Sequence, residues 1–122
     1  DYLPNITALI EEGLQCPAPE YVRAKELQSS LTDEILARFM GVNAFVMPGA
    51  RGPAPDASTT GDPIFNSPWS LTGLPAVSFL ADWVEEMPQA FQLVGRDDHD
   101  GELLAIAEWC ERTLQIEKRE VS

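Results

Sequence analysis

The chain has 122 residues, with 20 acidic and 8 basic side chains and a formal charge of −12. That length suits one domain of ordinary size. An apolar share of 44% against 23% charged excludes a disordered tail. The acidic balance argues against a nucleic-acid partner, whose phosphates need clustered cations, and against docking on anionic lipid. No apolar run approaches the roughly 18 residues of a membrane span. The sequence opens Asp1-Tyr2-Leu3-Pro4, without initiator Met, basic n-region or apolar h-region. The expectation is a processed product or part of something longer, in a reducing, cytoplasmic compartment. Cys16 and Cys110 have no CxxC spacing. They are expected as free, semi-buried thiols that pair only if the fold brings them together.

Ile6, Leu9, Ile10 and Leu14 recur at helical spacing over Asn5 to Leu14, with Asn5 as expected N-cap and Gly13 as C′ residue. Pro17 and Pro19 open a second, long helix from about Pro19 to Met40, about 33 Å in length at 1.5 Å per residue. Its stripe is Ala24, Leu27, Leu31, Ile35 and Phe39. Gly41 stops it, and Thr32 and Asp33 are weak formers that admit a break. Ala44 to Met47 is an unbroken apolar run, read as a strand covered on both faces. Residues 48–63 form a long Pro/Gly-rich loop, of the kind that is functional or disordered. A short helix entered through Pro68 ends at Gly73 and Pro75. Strands follow at Ala76–Leu80 and Ala90–Val94, joined by nine residues in a loose hairpin. The last helix runs from Gly101 to about Lys118, with Leu103, Ala107, Cys110 and Leu114 inward. Acidic residues at its start and Lys118 and Arg119 at its end suit the helix dipole. The order implies an α/β class, with a small mixed sheet of about three strands flanked by helices. So narrow a sheet is expected to be part of a larger one.

The usual catalytic constellations are missing. His99 is the single histidine and reads as a solvated loop residue before a helix. Gly49-Ala50-Arg51-Gly52 lacks the Lys-Ser/Thr of a phosphate loop, and no GxSxG elbow occurs. Asp97, Asp98 and Asp100 lack the continuation of a calcium loop and read as helix N-terminal charges, so neither metal nor cofactor is expected. Asp62, Asn66 and Trp69 are the candidate substrate-binding residues. They set a carboxylate, an amide and an indole within eight residues on the loop leading to the short helix. The competing reading makes Trp69 and Phe65 core residues and Asp62 a turn cap.

The run Thr60-Gly61-Asp62-Pro63-Ile64-Phe65-Asn66-Ser67-Pro68-Trp69-Ser70-Leu71-Thr72-Gly73-Leu74-Pro75-Ala76-Val77-Ser78 resembles the C-terminal region of the amidase signature family, where FN-x-PW-x-x-x-GLPAVS occurs. The family follows it with LP-x-G-x-QLVG, matched by Met87-Pro88-Gln89-Ala90-Phe91-Gln92-Leu93-Val94-Gly95, and a D-x-x-LL helix, matched by Asp100 to Leu104. Upstream, Glu12-Gly13-Leu14, Tyr21, Ala24 and Val46-Met47-Pro48 fall in matching order, so the resemblance covers residues 7–114. It implies amide hydrolysis or amide-nitrogen transfer by a Ser–cis-Ser–Lys triad with a backbone oxyanion hole, all in a stretch N-terminal to this one. The only lysines here are Lys25 and Lys118, and the only serine pair is Ser29-Ser30, none in a glycine-rich context. No catalytic residue is therefore assigned. Asp62 lies one position before the substrate-binding Asp of the glutamine-using branch, a place held here by Pro63. The family's S-x-P-x-G is here Ser78-Phe79-Leu80-Ala81-Asp82, its second motif glycine is Ala90, and its Asp before the first strand is Asn43.

The resemblance implies a C-terminal portion of an amidase-signature hydrolase, inactive alone, that contributes sheet and one wall of the substrate pocket within a larger mixed sheet. Its apolar faces would be covered by the N-terminal part of the amidase or by a second copy, and an amide would be substrate of the whole enzyme. The alternative is a non-enzymatic stand-alone remnant acting as a binding or assembly module. A third reading, an acidic small-molecule-binding domain, requires the motif order to be coincidence.

Overall fold

The computed structural model describes residues 3–84 and 86–116. Helix α1 spans Pro4–Leu14 and α2 Ala18–Arg38. Strand β1 is Phe45–Pro48, a 3-10 turn covers Pro63–Phe65, and α3 is Ser67–Thr72. Strands β2, Ala76–Val84, and β3, Met87–Val94, precede α4, Asp100–Leu114. The expected α/β arrangement of three strands flanked by helices is present. The strand order is β1-β3-β2, and both pairings are antiparallel rather than mixed.

Central β3 joins two apolar clusters on opposite faces of the sheet. Leu93 packs with Phe79 of β2 and with Leu103 and Ala107 of α4. The next residue, Val94, points the other way, as strand alternation requires, into Phe39 at the end of α2 and Leu74 after α3. Gly95 follows, and its missing side chain lets α4 approach: a Cβ there would lie 3.2 Å from Leu103 Cβ. Phe45 and Met47 pack on the α2–α3 side. Val46 is exposed, so β1 is covered on one face, not on both. The edge position also suits Pro48, which has no N–H to donate.

The hairpin is tighter than the nine-residue connection expected. Pairing continues to Val84↔Met87 with a bulge between Leu80 and Asp82, leaving a two-residue connection. Glu86 within it adopts φ 64°. α2 runs unbroken through Thr32, whose Oγ1 donates to the Gln28 carbonyl 2.9 Å away and so stays within the helix. α1 starts one residue before the expected Asn5 cap, with Pro4 in its first turn and Leu3 as N-cap. It continues past Gly13 to Leu14, with Gln15 as C-cap. α4 ends at Leu114 with Gln115 left-handed at φ 50°. Lys118 and Arg119, expected to close it, lie outside the described residues.

The apolar stripe of α2 packs toward the sheet only at its far end. Ile35 and Leu36 are half-buried and Phe39 is buried, whereas Leu27 is 60% exposed and Ala24 is exposed. α1 buries no residue; Ile6, Leu9, Ile10 and Leu14 all face outward. Cys110 is half-buried as expected, but Cys16 is exposed, and both are free.

Candidate functional site

The expected site residues collect on the α2–α3 face of the sheet. Asp62 caps the 3-10 turn: its Oδ1 accepts the Ile64 N–H at 3.0 Å. Its Oδ2 pairs with Arg51 Nε at 2.8 Å, closing the long loop on itself. Asn66 ends that turn and starts α3, with its carbonyl accepting the N–H groups of Trp69 and Ser70. Asn66 Oδ1 accepts from Gln92 Nε2 at 2.8 Å, which ties the loop to the central strand. Trp69 is half-buried against the Phe39, Leu74 and Val94 cluster.

Of the cavities that border these residues, two hold more than one of them. One of about 400 Å³ lies between the 49–55 segment and the first half of β3, with Arg51, Asp62, Asn66, Ser78 and Gln89 on its wall. The second, about 260 Å³, is lined by Asn66, Trp69, Leu74 and Gln92. Asp62 and Asn66 therefore share the first, Asn66 and Trp69 share the second, and Asn66 is common to both. Asp62 and Trp69 also carry structural duties, as turn cap and as core packing.

Gln92 and Arg51 are the polar residues that sequence reasoning missed. Gln92 is 5% exposed, and its Oε1 is buried without a partner, as is Trp69 Nε1. Nothing in an apolar strand pattern separates a buried glutamine from an outward one. Arg51 did leave a signal: it is the single cation between Arg38 and Arg96.

The triad chemistry has no counterpart among the described residues. Lys25 is exposed on α2 and donates to Gln28 of the same helix, while Ser29 and Ser30 are exposed further along it. His99 is exposed, with Nδ1 2.7 Å from the Asp97 carbonyl oxygen. Among the described residues no group of three or more His, Cys, Asp or Glu gathers in a metal-ligating arrangement.

No family model matches the chain. A mitochondrial glutamyl-tRNA(Gln) amidotransferase subunit of Canis lupus familiaris is 41% identical over 55 residues, 45% of this chain and 10% of that protein. The corresponding subunit of Pseudothermotoga lettingae is 29% identical over 92 residues, 70% of this chain and 20% of that protein. A solved amidase structure superposes with TM-score 0.82 at 28% identity, covering 93% of this chain and 29% of that one. Over this shared stretch the chain is related to the amidase signature family. A bacterial aryl acylamidase of that family shares the fold with TM-score 0.72 at 16% identity, over 92% of this chain and 26% of its own. The chain thus spans a fifth or less of the length of these curated relatives.

Departures from the amidase-signature pattern have visible consequences. Leu80 and Asp82 replace a proline and a glycine that would interrupt pairing, and β2 runs through both. Ala90 replaces a glycine and is closely met by Gly49, whose N–H donates to the Ala90 carbonyl at 2.9 Å. Asn43 replaces an aspartate and donates its amide to Glu102 Oε1, a contact that a second carboxylate would turn into repulsion.

Proposed function

We propose that these 122 residues form the C-terminal portion of an amidase-signature hydrolase whose Ser–cis-Ser–Lys triad lies outside them. Within it they would supply sheet and one wall of the amide pocket, with Asp62, Asn66 and Trp69 on that wall. The observation that carries this reading is the fit to a solved amidase: nearly all of this chain superposes on less than a third of that one. The outward apolar faces of α1 and the first half of α2 support it. Leu3, Leu9, Leu14, Tyr21 and Leu27 are each at least 60% exposed, apolar side chains that a covering segment would bury. The N-terminal part of the amidase is the proposed cover, and an amide is the substrate of the whole. A cytoplasmic location belongs to the same proposal and fits two free thiols.

The reading is tested at the level of the gene and of the purified chain. The reading frame upstream of Asp1 is expected to encode a Gly/Ser-rich nucleophile stretch preceded by a lysine. The extended protein is expected to hydrolyse simple amides that the 122-residue chain leaves intact. Hydrolysis by the shorter chain itself would refute the division of labour. An initiator Met immediately before Asp1 would favour the stand-alone module instead.

A further inference from the structure

We propose that the 260 Å³ cavity beside α3 binds a small cyclic imide, an uncharged ring whose N–H sits between two carbonyls. Asn66, Ser70 and Gly73 on its wall are exposed, whereas Leu74 and Gln92 are buried, so it opens to solvent above an inner floor. None of the described residues lining it is charged, which favours a neutral occupant. Two polar atoms of its lining residues are buried without a partner: Trp69 Nε1, which can only donate, and Gln92 Oε1, which can only accept. Gln92 Nε2 carries two hydrogens and gives one to Asn66 Oδ1 at 2.8 Å. The unspent groups of Trp69 and Gln92 are therefore one acceptor and two donors.

The edge of an imide offers the complement, an acceptor, a donor and an acceptor. Its N–H meets Gln92 Oε1, and its two carbonyls meet the second hydrogen of Gln92 Nε2 and the Trp69 indole N–H. The match discriminates among small neutral compounds. An open-chain secondary amide holds its N–H and C=O on opposite sides of a planar bond, so it cannot give both to one side-chain amide. An alcohol has a single oxygen for two donors. Burial makes these contacts count, because each orphaned group carries a desolvation cost that a bound partner removes. The tie to Asn66 holds the Gln92 amide in place, and Leu74 gives the ring carbons an apolar seat. The ring is held and not cleaved, so the site goes beyond the amidase reading and asks nothing of a triad.

The probe is succinimide, titrated near neutral pH into the 15N-labelled 122-residue chain. N-methylsuccinimide, which keeps the ring and both carbonyls but has no N–H, is the control. Saturable shifts are expected for the Trp69 indole N–H and the Gln92 side-chain NH2, with the indoles of Trp83 and Trp109 unmoved. N-methylsuccinimide should bind about tenfold more weakly or not at all. Gln92→Met keeps the side-chain volume, removes two of the ring's three partners, and should weaken succinimide binding about tenfold or more. Trp69→Phe keeps an aromatic ring without the N–H and should weaken binding by less. Equal binding of the two imides, or no saturation by succinimide, would overturn the proposal. So would shifts that spare Trp69 and Gln92, or indifference to Gln92→Met with a native spectrum. Should Gln92→Met not fold, the comparison of the two imides on the parent chain decides. The amidase reading is scored separately, by hydrolysis of simple amides by the extended protein.

Discussion

Gln92 offers the sharpest test of how the two layers are held together. Replacing it with Met keeps nearly the same length and volume in a buried position, a swap that packing tolerates. Two terms then oppose each other. The substitution removes the hydrogen bond to Asn66 Oδ1, worth about 0.5–1.5 kcal/mol net. Asn66 is exposed, so water can replace the lost donor and no further penalty arises there. It also removes Gln92 Oε1, a buried acceptor without a partner, whose desolvation costs about 1–3 kcal/mol. The second term is larger, so Gln92→Met is expected to stabilise the chain by about 1 kcal/mol. At about 2.1 cal/mol/K of unfolding entropy per residue, that is about 4 °C in Tm for a chain of this size. Asn66→Ala should do the opposite, since it strands the Gln92 amide nitrogen in the same buried place, and should cost about 1–3 kcal/mol. In Gln92→Met the Asn66→Ala cost should largely vanish, which a double-mutant cycle by urea denaturation reads directly. A Gln92→Met protein less stable than the parent by about 1 kcal/mol or more would refute the reasoning, because Oε1 would then have a favourable partner to lose.

Three further outcomes follow from geometry already described. Gly95→Ala places a methyl 3.2 Å from Leu103 Cβ and 3.3 Å from both of its terminal carbons. Leu103 is buried and held by α4, so a loss of about 1–3 kcal/mol is expected in a denaturation midpoint, and no loss would show that α4 slides freely. Glu86→Gly relieves a left-handed residue at φ 64°, a conformation costing about 1–2 kcal/mol. Offset by about 0.4–1 kcal/mol of added unfolded-state freedom, the net should be a Tm rise of a few degrees, and a fall would refute it. Asp56 accepts the Ser58 backbone N–H at 2.9 Å, which holds its carboxyl below the usual aspartate value, with the Ser58 side chain a smaller cause. A depressed folded value means that the turn's contribution is present above the unfolded pKa and is lost as pH falls through the folded one. A carboxyl-detected NMR titration should place the Asp56 midpoint below that of an unstructured aspartate, and Ser58→Ala should keep most of that displacement. A midpoint at the ordinary value in the parent would refute this.

The sequence made the elements legible wherever local chemistry and tertiary packing agree. The length of α2 and the inward Leu103, Ala107 and Cys110 of α4 come from spacing and are present, whereas α2 ends at Arg38, ahead of the expected Gly41 stop, and Leu114, expected inward, is 42% exposed at the end of α4. The resemblance placed the FN-x-PW and QLVG segments in the right order around the sheet. Other features depended on partners distant in sequence. Periodicity shows that α1 has an apolar face but not that anything lies beneath it. The tight hairpin was hidden because Asp82, Glu85, Glu86 and Pro88 read as a polar connection. The site behaved similarly. Asp62 was legible as a cap-or-pocket residue, but its pairing with Arg51 spans a loop whose closure no local rule dictates. Gln92 looked like any strand residue until its neighbours on both faces were known.

The back-to-back burial of Leu93 and Val94 has a consequence for how the chain comes apart. One strand turns consecutive side chains into opposite clusters, so neither cluster can open without disturbing β3. Hydrogen exchange should therefore be slowest at the amides of residues 92–94, in a single cooperative unit that includes α4 and the end of α2. α1 has no share in that unit: eleven residues with none buried form a helix near the lower limit for persistence in water. Helical ellipticity should accordingly begin to fall on warming before the sheet reports any change, and the two signals would describe different events.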